Sequence, residues 1–201
     1  MRAAVVEEGS VVVREVPTPR PEAGEVLVRV ALCGICGSDV RLLAEGFFPP
    51  GTVIGHEISG TVAEVGPGVE GWRIGERVTV LPAVTCGDCR YCRSDTWLHC
   101  PQARFLGIHR DLPGGFAEYV KVPAGTLHRL PDEVSDEAGA LVEPCAVALR
   151  AVRRSGLKLG ESVAVLGAGP IGLFALELAQ AAGADPIYVV EPGPDLSLIH
   201  I

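Results

Sequence analysis

Ser162-Val-Ala-Val-Leu-Gly167-Ala-Gly169-Pro170-Ile171-Gly172 is the stretch that decides the fold. A short apolar run, Ser162–Leu166, meets a glycine turn, and an Ala/Leu-rich segment, Pro170–Ala182, leads to a second apolar run, Ile187–Val190. Strand, turn, helix and strand in that order make the βαβ unit of a parallel sheet. A lone GxGxxG is weak evidence. Here it directly follows an expected strand and opens an expected helix, which is the context a dinucleotide site requires. Gly167 permits the tight turn, Gly169 lets backbone approach a pyrophosphate, and Gly172 allows close helix–strand packing. The helix N-terminus at Pro170 and Ile171 offers free N–H groups and a dipole that favours phosphate. Glu191 ends the second strand, where a carboxylate binds ribose hydroxyls and repels a 2′-phosphate. Pro192-Gly193-Pro194 brings no arginine to reverse that preference, so NAD is expected rather than NADP.

Upstream, Ser135–Glu137 suits a helix N-terminus, and Pro144 stands where a second helix can begin and run to about Arg154. A domain of α/β character is therefore expected over 133–201. Before it, residues 1–132 read as β-rich and broken by turns. Met1–Val6 and Val11–Val16 flank Glu-Glu-Gly-Ser as a hairpin, and Pro17, Pro19 and Pro21 enforce an extended crossing to a strand at Glu25–Leu32. Ile58–Val65, Arg77–Leu81 and Phe116–Val122 are further strands, with one short helix after Cys36. A single βαβ unit cannot cover both faces of a parallel sheet. The chain therefore reads as C-terminally truncated, and Asp195–Ile201 reads poorly as a continuation.

With 201 residues and 48% hydrophobic content, the chain can bury a sizeable core. A net charge of -8 and a pI near 5.1 exclude the basic field of a nucleic-acid surface. No stretch approaches the roughly 20 apolar residues of a membrane span. Met1–Val6 runs straight into Glu7 and Glu8, so no secretion signal is expected and the setting is read as cytoplasmic. In that reducing compartment, seven cysteines read as metal ligands or buried thiols rather than disulfides.

Four of them lie within a lobe over 83–103: Cys86-Gly-Asp-Cys89-Arg-Tyr-Cys92, then Cys100. Closely spaced thiolates on a loop supply the tetrahedron zinc requires, and with every position filled by protein the ion is structural. Asp88, Arg90, Ser94 and Asp95 suit an exposed loop wrapped around it. A second set, Cys36, His56 and Glu57, is mixed in type and spread in sequence, as a catalytic zinc with an open position needs. Each member also has an ordinary reading as a buried thiol, a satisfied histidine or a solvated acid. Cys33 and Cys36 form a CxxC pair, by itself a weak redox signal.

Gly34-Ile-Cys36-Gly-Ser38-Asp39 and Gly55-His56-Glu57-Ile-Ser-Gly60-Thr-Val-Ala-Glu-Val-Gly66 resemble the two metal signatures of the medium-chain, zinc-dependent alcohol and polyol dehydrogenases, in the branch of the sorbitol and threonine enzymes. The cysteine lobe and the glycine turn follow in that family's order, and the resemblance runs from Met1 to about Glu191. It implies a GroES-like catalytic domain followed by the start of a Rossmann domain. Cys36 and His56 would bind the catalytic zinc; Glu143, in Leu141-Val-Glu143-Pro144, resembles a third ligand. Glu57 would be a companion carboxylate, bound directly or exchanging with water. Which of Glu57 and Glu143 touches the metal is open. Asp39 would accept a hydrogen bond from His56 and fix its tautomer, and Ser38 would start the proton relay. Arg41 stands where these enzymes often carry a relay histidine, and His109 reads as a surface histidine.

The implied protein holds two zinc ions, one catalytic and one structural, and moves hydride between a secondary alcohol or polyol and NAD. Its partners would be a small alcohol or ketone and, for the full-length parent, one or three further copies of itself, with no nucleic acid or membrane. The alternative is a non-catalytic zinc-binding fragment.

Overall fold

In the computed structural model, residues 1–94 and 96–193 are described. The expectations for Asp95, Pro194 and Asp195–Ile201 lie outside them. The chain opens with β1 (Arg2–Glu7) and β2 (Ser10–Glu15), antiparallel, with Glu7 opposite Ser10. Glu8 and Gly9 both take positive φ, 47° and 76°. That is the two-residue turn whose twist matches a right-handed ribbon.

β3 (Glu25–Gly34) leads into helix α1 (Gly37–Ala44), then come β4 (Glu57–Val65) and β5 (Arg77–Val80). Two short strands, β6 (Ala83–Val84) and β7 (Arg104–Phe105), pair to close the base of the cysteine lobe. β8 (Tyr119–Pro123) and β9 (Leu127–Arg129) complete an antiparallel sheet of order β8-β3-β4-β5-β9. β8 begins at Tyr119 rather than Phe116 because residues 116–118 turn to β1: Ala4 N–H donates to Phe116 O and Ala117 bridges Ala3. One face of the sheet buries Val26, Val28, Ile58, Val62, Val78, Val80, Val120 and Val122. Their period of two on each strand puts them on a single face, and each such burial stabilises by about 1.5–3 kcal/mol. Val6, Phe48 and Ile54 form a second cluster with Leu42 and Leu43 of α1, which seats that helix.

Helix α2 (Asp136–Ala140) is capped by Ser135, whose Oγ accepts from Ala138 N–H at 3.2 Å. It packs on the sheet, and the first compact unit runs from Met1 to Leu141. The second unit begins at Val142. It holds α3 (Val142–Ser155), β10 (Val163–Leu166), α4 (Pro170–Ala181) and β11 (Ile187–Val190). β10 and β11 run parallel, with Val163 opposite Ile187 and Leu166 opposite Val190. Among the described residues no helix is long and apolar enough to cross a membrane.

Candidate metal centres and nucleotide turn

β6 and β7 fix both ends of the cysteine lobe, and Gly87 makes the tight turn inside its first CxxC at φ 79°. Cys86 Sγ lies 3.8 Å from Cys92 Sγ and 3.6 Å from Cys100 Sγ, and Cys89 Sγ lies 3.5 Å from Cys92 Sγ. Zinc–sulfur bonds of about 2.3 Å give a tetrahedron with sulfur–sulfur edges of about 3.8 Å. The spacing fits that ion. Without an ion, Cys86 and Cys92 are driven in opposite directions. The Asp88 carboxylate beside Cys86 pushes its thiol up to about 12, whereas the Thr85 hydroxyl brings Cys92 down to about 7. A dication is what makes four neighbouring thiolates compatible. Cys100 is buried and its sulfur accepts from Gln102 N–H at 3.4 Å.

Cys36 caps α1. Its Sγ accepts from Ser38 N–H at 3.5 Å, while its own N–H donates to Asp39 Oδ2 at 3.0 Å. Asp39, His56 and Glu57 are 2%, 8% and 7% exposed. His56 Nδ1 faces Asp39 Oδ1 at 3.4 Å, and neither atom has a closer partner. Burial opposes charge on the ring, but Asp39 and then Cys36 outweigh it and hold His56 at about 9. With Nδ1 committed to Asp39, the other ring nitrogen is left for a metal. Ligand atoms of Cys36, His56 and Glu57 lie within 4.8 Å of one another. A thiolate, an imidazole and a carboxylate on that scale fit zinc.

Burial pushes the Glu57 carboxyl upward, and His56 draws it back. Glu57 pairs with Gly34 across β3 and β4, and a Cβ on Gly34 would lie 2.1 Å from Glu57 Oε2. Sequence reasoning gave Gly34 no role of its own; a glycine at the end of a strand leading to a ligand cysteine was the available signal. Cys33 packs against the core, and burial pushes its thiol up to about 12, so it is a poor nucleophile at neutral pH. Arg41 is exposed and pairs with Glu45 one turn on, at 3.8 Å. His109 accepts from Phe105 N–H through Nδ1 at 3.0 Å and stacks on that ring, holding the turn after β7. Ser38 is half-buried in the first turn of α1. Glu143 belongs to the first turn of α3, in the second unit.

In the second unit, Gly167 takes φ 98° and donates its N–H to Val190 O at 2.7 Å. A Cβ on Gly172 would lie 1.9 Å from Gly167 O, so only glycine lets α4 start this close to the turn. Gly169 caps α4 without a side chain, and Pro170 and Ile171 follow. Glu191 sits at the end of β11 with its carboxylate at the turn. It accepts from Ala168 N–H and from Gly193 N–H, each at 2.7 Å. Free N–H groups at a helix start, with an acid beside them, suit a pyrophosphate and a ribose.

Residues 22–132 match the family described as the alcohol dehydrogenase GroES-like domain. The chain is 46% identical over 197 residues to (R,R)-butanediol dehydrogenase of Bacillus subtilis, covering 91% of this chain and 55% of that protein. Its fold matches the alcohol dehydrogenase TADH from Thermus sp. ATN1 with a TM-score of 0.91 at 37% identity, covering 98% of this chain and 59% of that one. A structure from Sinorhizobium meliloti 1021, bound to NADP, matches with a TM-score of 0.90 at 40% identity, covering 97% and 57%. The chain spans about half the length of the curated relatives it matches.

Proposed function

Because this chain belongs to the medium-chain, zinc-dependent alcohol and polyol dehydrogenases, we propose that it supplies the metal-binding half of an enzyme that interconverts a secondary alcohol or polyol and its ketone, with NAD as hydride acceptor. The observation that carries the reading is the cluster of Cys36, His56 and Glu57 with Asp39 behind the imidazole.

Cys36, His56, Glu57 and Glu143 are the proposed ligands of the catalytic zinc, with Glu57 and Glu143 as alternative carboxylates. Cys86, Cys89, Cys92 and Cys100 hold the structural ion, giving two per chain. A bound catalytic zinc supplies Lewis acidity that lowers the pKa of a substrate hydroxyl. Asp39 keeps the His56 ring in one orientation. Ser38 takes the hydroxyl proton while passing its own to solvent, and the carbinol carbon gives up hydride, so alcohol and NAD become ketone, reduced NAD and a proton. Arg41 faces solvent beside its partner Glu45, so water is assigned the outer part of the proton path. The backbone at Gly167, Gly169, Pro170, Ile171 and Gly172 is proposed to cradle the pyrophosphate.

The Glu191 carboxylate at the turn supports NAD over NADP. Seven cysteines, none in a disulfide, fit a reducing, cytoplasmic setting. For the whole protein we assign a homodimer or homotetramer on the family resemblance. The test is metal content by mass spectrometry together with an alcohol panel assayed with NAD and NADP. About two zinc per chain with NAD-linked oxidation of secondary alcohols supports the reading. Two zinc without turnover favours a zinc-binding fragment, consistent with the chain spanning about half of its relatives, and absence of zinc overturns both.

A further inference from the structure

One glycine-rich segment touches the chain on both sides of the His56-Glu57 pair. Residues 114–116 run alongside 53–55. Gly114 N–H donates to Val53 O at 2.8 Å, Gly115 N–H to Gly55 O at 2.8 Å, and Phe116 N–H to Ile54 O at 3.0 Å. The approach is closer than any side chain allows. A Cβ on Gly114 would lie 2.2 Å from Gly55 O and 2.5 Å from Ile54 O, and one on Gly107 would lie 2.6 Å from the same Gly55 O. Those obstacles are backbone atoms, which no change of rotamer clears. Gly55 itself takes φ 95°, and the Phe116 ring stands where its Cβ would be, 2.6 Å from the nearest ring carbon. Beyond the pair, a Cβ on Gly115 would lie 2.5 Å from Cγ1 of the fully buried Ile58 and 2.9 Å from Cys33 Sγ.

The segment is anchored in turn. Gly107 N–H donates to Leu112 O at 2.9 Å, closing the 107–112 turn, and Ala4 N–H of β1 donates to Phe116 O at 2.7 Å. Phe116 packs against the cluster of Val6, Phe48 and Ile54. β4 begins only at Glu57, so the ladder of the sheet holds that residue and stops short of His56. The backbone entering His56 is fixed instead by the contacts made at Gly55. Metal–ligand distances hold to within about 0.2 Å, so a small movement of that peptide matters. We propose that Gly107, Gly114 and Gly115 are positioning residues that fix the Gly55 peptide and thereby aim the His56 imidazole at the catalytic metal. This rests on the reading of Cys36, His56 and Glu57 as zinc ligands. None of the three glycines touches a reacting atom.

The test uses the whole zinc-loaded protein, titrated with a chelator while release from the two sites is followed separately; cobalt(II) spectra of the substituted protein report the geometry of the second site. Gly114→Ala is expected to retain the four-cysteine zinc, an internal check that the first unit is folded. It should bind the other zinc about tenfold more weakly, the lower range for loss of a ligand's support, with altered cobalt bands. Gly115→Ala meets side-chain atoms rather than backbone, so it is the milder variant: the same bands change with a smaller loss of affinity. It decides the matter if Gly114→Ala does not fold. Val122→Ala, at a fully buried core position on β8, supplies a destabilised protein in which Gly55 is undisturbed. It should lower the melting temperature and leave the second zinc and its cobalt bands unchanged. The proposal is overturned if a folded glycine variant binds its second zinc as tightly as the parent or leaves the bands unchanged, or if Val122→Ala loosens that zinc equally. A parent that holds only the four-cysteine zinc overturns the ligand reading itself, and that result is obtained before any variant is made.

Discussion

Gly34 and Glu57 stand opposite each other across β3 and β4, and the Glu57 carboxylate occupies the space that any larger residue at 34 would fill. The strand pairing and the metal cluster thus share one pair of positions. Gly34→Ala is expected to move the carboxylate or spread the strands, at about 1–3 kcal/mol for overpacking. Zinc analysis should then show the four-cysteine ion retained and the second ion bound at least tenfold more weakly. Equal retention of both would mean that Glu57 has room elsewhere and lies outside the cluster.

The cysteine lobe is closed at its base by two short pairs, Ala83 with Phe105 and Val84 with Arg104. Its internal order should therefore depend on the metal. Cys100→Ser removes the buried sulfur of the four and is expected to lower zinc content by one ion per chain. Hydrogen exchange should rise steeply over 86–102 and change little over 58–80, because the strands there are held by valine packing. Uniform loss of protection across both segments would show that the ion supports the whole first unit.

What the sequence made legible follows the strength of each physical signal. The βαβ unit was readable because apolar runs, a glycine turn and Pro170 agree on its limits, and β10, α4 and β11 fall within a residue of them. β6, β7 and β9 were not readable: two or three residues carry no periodicity, and tertiary pairing alone makes them strands. The position of α2 was hidden for the same reason, since its attachment to Ser59 joins residues 77 apart in sequence. Cys36, His56 and Glu57 could be named from their motifs, but the close approach that gives Gly34 its role exists only once β3 and β4 are paired.

Acid should loosen the seam between β1 and the sheet. Arg2 donates its backbone N–H to Glu118 Oε2 at 2.8 Å and its Nε to Oε1 at 3.1 Å, and these bonds hold the Glu118 carboxyl below its ordinary range. A depressed folded value contributes stability above the unfolded pKa of about 4.3, and that contribution is lost as pH falls through the folded value. Both side chains are exposed, so the effect is small and screened by salt. Thermal melts of Glu118→Gln should start lower than the parent at pH 7 and converge with it by about pH 3. A constant gap at every pH would assign the loss to packing instead of charge.

The second unit offers the sharpest electrostatic test. Glu191 is held at the glycine turn by Ala168 N–H and Gly193 N–H, so the carboxylate cannot swing far from a ribose seated there. A phosphate added at the 2′ position would meet it at close range. Two unit charges about 4 Å apart interact by about 1 kcal/mol in bulk water and by about 4 kcal/mol near a protein surface. Replacing the acid therefore relieves NADP of a penalty worth about fivefold in affinity at the lower bound. Glu191→Gln keeps the side-chain oxygen as an acceptor for Ala168 N–H while removing the charge. Calorimetric titration of the full-length protein with each nucleotide should show NADP binding at least about fivefold tighter in this variant, with NAD changed much less. If NADP gains nothing, the preference is set elsewhere in the nucleotide site and Glu191 serves only to brace the turn.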